Sequence, residues 1–341
     1  MSIKDIARAL GVSHSTVSRA LRDSPLVRAE TASEIKQKAY ALGYRPSAVA
    51  RSLVTRETRT IGVVVTTIAD PFHGEVVTGI EEVAGAAGYS VILASSHREP
   101  EREIRAVRAL QERRVDGILV ASSRVGDLYL SAMTEMRVPI VLINNQHEGQ
   151  LVYSVSVDNE SAARDAVRHL IELGHKRIAY LGDRFGSHSD AERLAGYRSA
   201  LSGAGIAFDS EMVAQGDSSP EGSAPGVYRL LAQAARPTAL FCYNDMSSLA
   251  ALRVAAELGL NVPEKLSVVG FDDLFFAAYL QPPLTTIHQP RREMGIQATE
   301  LLLALLKDEP VASQRIAVKG ELVVRGSTAR PWPDTAVDKG S

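Results

Sequence analysis

Only one cysteine is present, Cys242, so neither an intrachain disulfide nor a CxxC-type metal site can form. No apolar run reaches membrane-spanning length. The opening residues MSIKDIARAL lack the apolar core and small-residue cleavage site of a signal peptide. A cytoplasmic protein without a membrane partner is therefore expected. Also missing are a P-loop, a GxSxG elbow and an HExxH pair, and the Asp and His residues are scattered rather than paired at catalytic spacing. No catalytic residue, metal site or cofactor is expected, which weighs against an enzyme.

What remains is a soluble chain of 341 residues, 45% hydrophobic and 23% charged, long enough for two or three domains. Its net charge of -2 conceals an asymmetry. Residues 1–60 carry 11 Lys/Arg against 5 Asp/Glu, and the remainder carries 27 against 35. A basic arm on an acidic body points to a polyanionic partner for the arm.

That arm has a readable pattern. Ile3, Ile6, Ala7 and Leu10 share one helical face, Gly11 breaks the run, and Ser13 is placed to cap a second short helix. Ala7 allows close approach of that helix, Gly11 permits positive φ, and Val17 fills the angle between the two. Two short helices about such a turn predict a helix-turn-helix. Ser13, His14, Ser15, Thr16, Ser18 and Arg19 give the second helix a polar outer side able to bond base edges and phosphates. A third helix is predicted from about Thr31 to Leu42, ended by Gly43.

Beyond residue 60, apolar runs alternate with amphipathic stretches. The predicted strands are 61–65, 89–94, 117–121 and 139–143, then 177–182, 238–243 and 266–271. Helical stretches are predicted at 74–87, 101–113, 160–173, 190–204 and 246–258. Continuous Val/Ile/Leu strands separated by helices predict parallel sheets covered on both faces, and two consecutive sets predict two lobes. Ligands of such sheets sit beyond the carboxyl ends of the strands.

Several motifs, in order, resemble the LacI/GalR family of bacterial regulators: GVSHSTVSRAL, GYRPSAVARSL, IADPFHGEVVTGIE, RRVDGILV, HLIELGHKRIAYLG, RLAGYRSAL, NDMSSLAAL, SVVGFDD, PPLTTIHQP and LVVRGSTARP. Together they reach from residue 3 to about 331. The resemblance implies a small all-α helix-turn-helix DNA-binding headpiece plus an α/β two-lobed periplasmic-binding-protein-like sensor, with parallel sheets flanked by helices. The headpiece is expected at 1–46, a hinge helix and linker at 47–58, and the effector-binding domain at 59–330. Within the latter, one lobe would comprise about 59–158 plus 289–318 and the other about 159–288 plus 319–330. Residues 331–341 would be a tail, and because it lacks heptads no tetramer-forming coiled coil is expected.

The same resemblance implies a homodimer on pseudo-palindromic double-stranded operator DNA, with Leu53 as a minor-groove wedge and Ala50 its close-packed neighbour. Apolar wedges of this kind partly unstack a base step and kink the duplex. It further implies a small-molecule effector, a sugar being the expected class, bound by Phe72, His73, Asn144, Arg193, Asn244 and Asp272. Bidentate Asp, Asn and Arg groups suit vicinal hydroxyls.

This chain also departs from the family pattern. Asn144 stands where an aspartate is common, and Ser218 where some sugar-binding members have a tryptophan. Trp332, the only tryptophan, lies in the tail, away from the expected cleft. In the headpiece, Arg28-Ala29 replaces the commoner Ser-Pro, and Val54 replaces a basic residue. The alternatives are a purine-type, co-repressor-dependent regulator and a solute-uptake binding protein. Asp245 could instead cap the next helix, and Asp273 could be a solvated turn residue.

Overall fold

The computed structural model describes residues 2–21, 23–44, 57–123, 125, 138–145, 153–185 and 187–332. The chain forms two compact units that divide after Thr58.

The first unit holds α1 (Ile3–Leu10), α2 (His14–Ala20) and α3 (Ala29–Ala41). Ser2 and Asp5 form a capping box at the start of α1, and Gly11 ends it at φ 63°. Ser13 caps α2, its hydroxyl accepting from the Thr16 amide at 3.1 Å. The third helix begins two residues earlier than its apolar pattern indicates, because Arg28 serves as N-cap without a side-chain bond. Ile6, Ala7, Val17, Ala20, Ile35 and Ala39 close the three-helix core. Ala50 and Leu53 lie outside the described residues.

The second unit contains two six-stranded sheets. Sheet one orders its strands β11-β5-β4-β3-β1-β2, where β1 is Thr60–Val65, β2 Ser90–Ser95, β3 Gly117–Ala121, β4 Ile140–Ile143, β5 Tyr153–Val157 and β11 Arg315–Val318. Sheet two runs β12-β10-β9-β8-β6-β7, where β6 is Ile178–Asp183, β7 Val213–Gly216, β8 Ala239–Cys242, β9 Ser267–Asp272, β10 Thr285–His288 and β12 Glu321–Val323. All pairings are parallel except β10 with β12. Among these strands the chain passes from one sheet to the other three times, after β5, β10 and β11.

Strand alternation divides each sheet's apolar residues between two cores. Ile61, Val63 and Val65 of β1 join Leu119, Val141 and the flanking helix α4 (Pro71–Ala86). Val64 turns the other way, toward Ile118, Val120 and α5 (Pro100–Glu112). In sheet two, Leu181, Cys242 and Val268 face one cluster while Tyr180, Phe241 and Val269 face the other. Each fully buried aliphatic side chain is worth roughly 1.5–3 kcal/mol, so two-sided burial explains the nearly unbroken Val/Ile/Leu runs. Burial also pushes the Cys242 thiol up to about 12, leaving it inert.

Helices α6 (Asn159–Glu172), α7 (His188–Gly203), α8 (Pro220–Leu231) and α9 (Asp245–Glu257) cover sheet two. Helix α10 (Arg291–Leu306) packs with α4 against sheet one. Here Gly79 of α4 and Gly295 of α10 let the backbones approach: a Cβ on Gly79 would lie 2.1 Å from the Arg292 carbonyl oxygen, and one on Gly295 2.2 Å from that of Val76. Gly85, on the same α4, faces open space. Gly79→Ala should therefore cost about 1–3 kcal/mol through overpacking. Gly85→Ala should be neutral or stabilise by up to ~1 kcal/mol through helix propensity. Urea unfolding of both variants checks this, and equal effects would contradict the close approach.

Candidate functional site

In the headpiece, the cap of α2 dictates which side chains face outward. Ser13 Oγ lies 2.7 Å from Ser15 Oγ and 2.8 Å from Thr16 Oγ1, so both hydroxyls are tied into the helix start. His14, Ser15 and Arg19 are exposed, while Thr16 and Ser18 are half-buried. His14, Ser15, Ser18 and Arg19 line one surface depression with Ile3 and Lys4. A short helix presenting His, Ser and Arg beside a lysine has the form of a major-groove reading surface.

In the second unit, the carboxyl ends of both sheets converge on a small cavity of about 40 Å³. Phe72, His73, Asn144, Arg193, Asn244 and Asp272 all line it. Thr66, Asp70, Arg98, Ser122, Ser218 and Tyr243 complete the lining. Thr66 and Tyr243 directly follow strand ends, a positional signal that could have marked them in the sequence.

Asp70 caps α4, accepting from the Phe72 amide at 3.0 Å with Pro71 in the first turn, and this sets Phe72 and His73 at the helix start. Burial lowers the His73 pKa and keeps the imidazole neutral. Its Nε2 lies 2.8 Å from Thr66 Oγ1, while its Nδ1 and the Asn144 Oδ1 are buried without a hydrogen-bond partner among the described residues. Such orphan atoms are uncommon and mark a place where a ligand or water belongs. Of the eleven non-glycine residues with positive φ among those described, Arg98, Ser122, Asn144, Ser218 and Asp272 line this cavity. Backbone strain of that kind gathers at binding sites.

Arg193 is only 1% exposed. Its Nε donates to Asn159 Oδ1 at 2.9 Å and its Nη1 to the Tyr243 carbonyl. The guanidinium lies 3.7 Å from the Phe271 ring centre and 4.5 Å from that of Tyr243. Nη2 has no hydrogen-bond partner among the described residues. Asp272, 4% exposed, accepts from Gln289 Nε2 at 2.5 Å. Burial pushes its carboxyl up to about 7, against the opposing pull of Arg193.

Hydrogen bonds span the cleft. Arg98, from the first sheet, donates to the Asp217 carbonyl of the second at 2.7 Å. Arg291 donates to the Asp272 carbonyl and to Glu75 Oε1 of α4, the latter at 2.9 Å. The structure also settles two neighbours. Asn244, not Asp245, caps α9, accepting from the Ser247 amide at 2.8 Å. Asp245 is buried and accepts from Thr286 Oγ1 at 2.6 Å and the Leu274 amide at 2.7 Å. Asp273 is no solvated turn residue: it accepts from Arg325 Nη2 at 2.6 Å and pairs with His288 at 3.0 Å. Among the described residues no group of His, Cys, Asp and Glu could hold a metal, and no helix is long and apolar enough to cross a membrane.

A helix-turn-helix unit joined to a two-sheet unit with a polar cleft defines the class, a DNA-binding transcriptional regulator that responds to a small molecule. Comparison with known proteins agrees. The family described as bacterial regulatory proteins, lacI family, matches residues 2–47, and the periplasmic binding protein-like domain matches 167–328. The HTH-type transcriptional repressor PurR of Photobacterium profundum is 35% identical over 327 residues, covering 96% of this chain and 98% of that protein. The lac repressor dimer bound to operator and the anti-inducer ONPF has a TM-score of 0.86 at 29% identity, over 96% of this chain and 99% of that one. A transcriptional regulator CelR–cellobiose complex has a TM-score of 0.74 at 32% identity, over the same shares. The chain belongs to the lacI family of bacterial regulatory proteins and is a regulator, not an enzyme.

The raised Asp272 pKa has a measurable consequence. With a folded value of about 7 against 3.8 for the free group, the folded state holds a proton that the unfolded state releases. The resulting stability is full below the unfolded value and is lost as pH rises through about 7. Unfolding free energies of wild type and Asp272→Asn, compared from pH 5 to about 8, should diverge, wild type losing stability relative to the variant. Parallel curves would place the carboxyl at an ordinary pKa.

Proposed function

We propose that the protein is a repressor that binds pseudo-palindromic operator DNA as a homodimer, in the cytoplasm, under the control of a sugar bound in the cavity. One observation carries the effector class: the orphan Asn144 Oδ1 and His73 Nδ1, the Asp272 carboxyl and the Arg193 Nη2 group line one small space. A hydroxyl both donates and accepts, so a polyhydroxylated ligand can engage all of them. Phe72 offers an apolar face for ring C–H groups.

The name PurR of the Photobacterium relative favours a second reading, a purine acting as co-repressor. A thermal-shift screen over monosaccharides and purine bases decides between them. A ligand at 100 times its Kd adds about 2.7 kcal/mol, an easily read shift. Stabilisation by bases alone would replace the sugar reading with the purine one.

The cavity residues can be tested singly. Asp272→Asn and Arg193→Lys should weaken effector binding about 10- to 150-fold, the loss of one charged hydrogen bond. Operator affinity without effector should stay near wild type. Undiminished response in both variants would move the pocket elsewhere.

Arg19→Ala should cost about 1–3 kcal/mol of operator binding and relax preference at one base per half-site, measured by binding selection on randomised DNA. An unchanged profile would remove α2 from base reading. Ala50 and Leu53 are assigned to the minor groove in the same proposal.

A further inference from the structure

The end of sheet two opposite the effector cavity carries a second cavity, of about 560 Å³. Arg177, just before β6, Arg236 and Thr238, just before β8, and Lys265, just before β9, line it, together with Leu231 and Trp332. Among the described residues no acidic side chain takes part in the lining.

Three features set this place apart from ordinary solvated surface. First, its cations are uncompensated. Elsewhere on the same lobe Arg168 pairs with Asp165 and Glu172, Arg229 with Glu211, and Arg253 with Glu257. Arg177, Arg236 and Lys265 have no ion-pair partner among the described residues. The one side-chain bond among them runs from Arg177 Nε to the Arg236 carbonyl at 3.2 Å. Three like charges gathered in a concavity raise the local positive potential and attract an anion.

Second, Trp332, the only tryptophan of the chain, stands 62% exposed beside them. Third, the segment leading to it is fastened in place. His175 Nε2 pairs with the Ala329 carbonyl at 2.9 Å, the Ala329 amide donates to Ser267 Oγ at 3.0 Å, and Ser327 Oγ donates to the Val268 carbonyl at 2.6 Å. His175 Nδ1 in turn meets Thr238 Oγ1 of the cavity wall at 2.8 Å. The chain is thus pinned to the strand starts only three residues before the indole.

We propose that this cavity binds a nucleotide, its base stacked on Trp332 and its phosphates held by Arg177, Arg236 and Lys265. Guanidinium groups engage phosphate oxygens in pairs, and indole is a strong stacking partner for a flat base. Three separate cations match a multiply charged phosphate chain better than a single phosphate, and only a ligand with a flat ring uses the indole. Because β6 and β9 lie between the two cavities, their ligands are about 20 Å apart at 3.3 Å per residue. The regulator would therefore have a second chemical input, independent of the one at Asp272.

The test uses the full chain and the fluorescence of its single tryptophan, with ATP as the probe and no divalent metal. The expected result is a saturable change that weakens as salt is raised. Adenosine and inorganic tripolyphosphate should each bind about tenfold or more weakly, since each lacks one half of the recognition. Arg236→Ala combined with Lys265→Ala should weaken ATP by a similar factor, both residues being exposed and outside the cores. Asp272→Asn should leave ATP binding unchanged. Calorimetry on Trp332→Ala should show weaker binding. No saturable signal, equal binding by tripolyphosphate, an unaffected double variant or a loss on Asp272→Asn would each overturn the assignment.

Discussion

A guanidinium removed from water survives only where rings, carbonyls and a nearby negative charge replace its hydration. Arg193 meets that condition by drawing four elements together. Asn159 supplies an acceptor from the first residue of α6, Tyr243 a carbonyl and a ring from the end of β8, and Phe271 a second ring from β9. Asp272, the next residue, supplies the opposite field. The carboxyl edge of sheet two is thereby fixed around one buried cation, and the rest of the cavity is arranged with reference to it. Asp272 takes a φ of 122°, a conformation a non-glycine residue holds only when its surroundings enforce it. Gln289, Arg291 and the buried neighbour Asp245 are those surroundings.

Arg291 extends this arrangement beyond sheet two. It is 3% exposed and holds the Asp272 carbonyl and the α4 carboxylate Glu75 with the same guanidinium. The glycine contacts between α4 and α10 make those two helices a close-packed pair. In the proposed mechanism a ligand that engages Asp272 acts at the residue whose backbone Arg291 grips. Any change in lobe angle must be absorbed around that grip. A ligand shifts such an equilibrium only by its difference in affinity for the two arrangements.

The parts legible in the sequence are those with one dominant physical signal. Seven strands with unbroken apolar runs, and five helices with a polar and an apolar side, can be placed to within a few residues. The helix starts read one to three residues late because the caps Asp70, Glu99, Asp158, Ser187 and Asn244 lie ahead of the periodic pattern. The strands β5, β7, β10, β11 and β12 escape such a reading, since they are short and polar. Thr285 and Thr286 of β10 are buried only because Asp245, Ser327 and Arg325 satisfy their polar groups, partners far away in sequence. Helix α8 hides behind Pro220, Gly222, Pro225 and Gly226, which read as loop. In the cavity, Arg98 carries no local signal because its importance arises from tertiary approach across the cleft, and the strand-end position of Tyr243 does not foretell its stacking on Arg193.

A small ligand held between Asp272 and Arg193 is the central claim, and a crystal structure of the full chain tests it most directly. The crystals would be grown with whichever sugar raises the melting temperature most in the screen. Ligand density is predicted in the cavity at the carboxyl ends of the two sheets. Hydroxyls should lie within hydrogen-bond distance of the Asp272 carboxylate, Arg193 Nη2 and Asn144 Oδ1. A stabilising sugar bound elsewhere, with this cavity holding only water, would contradict the claim.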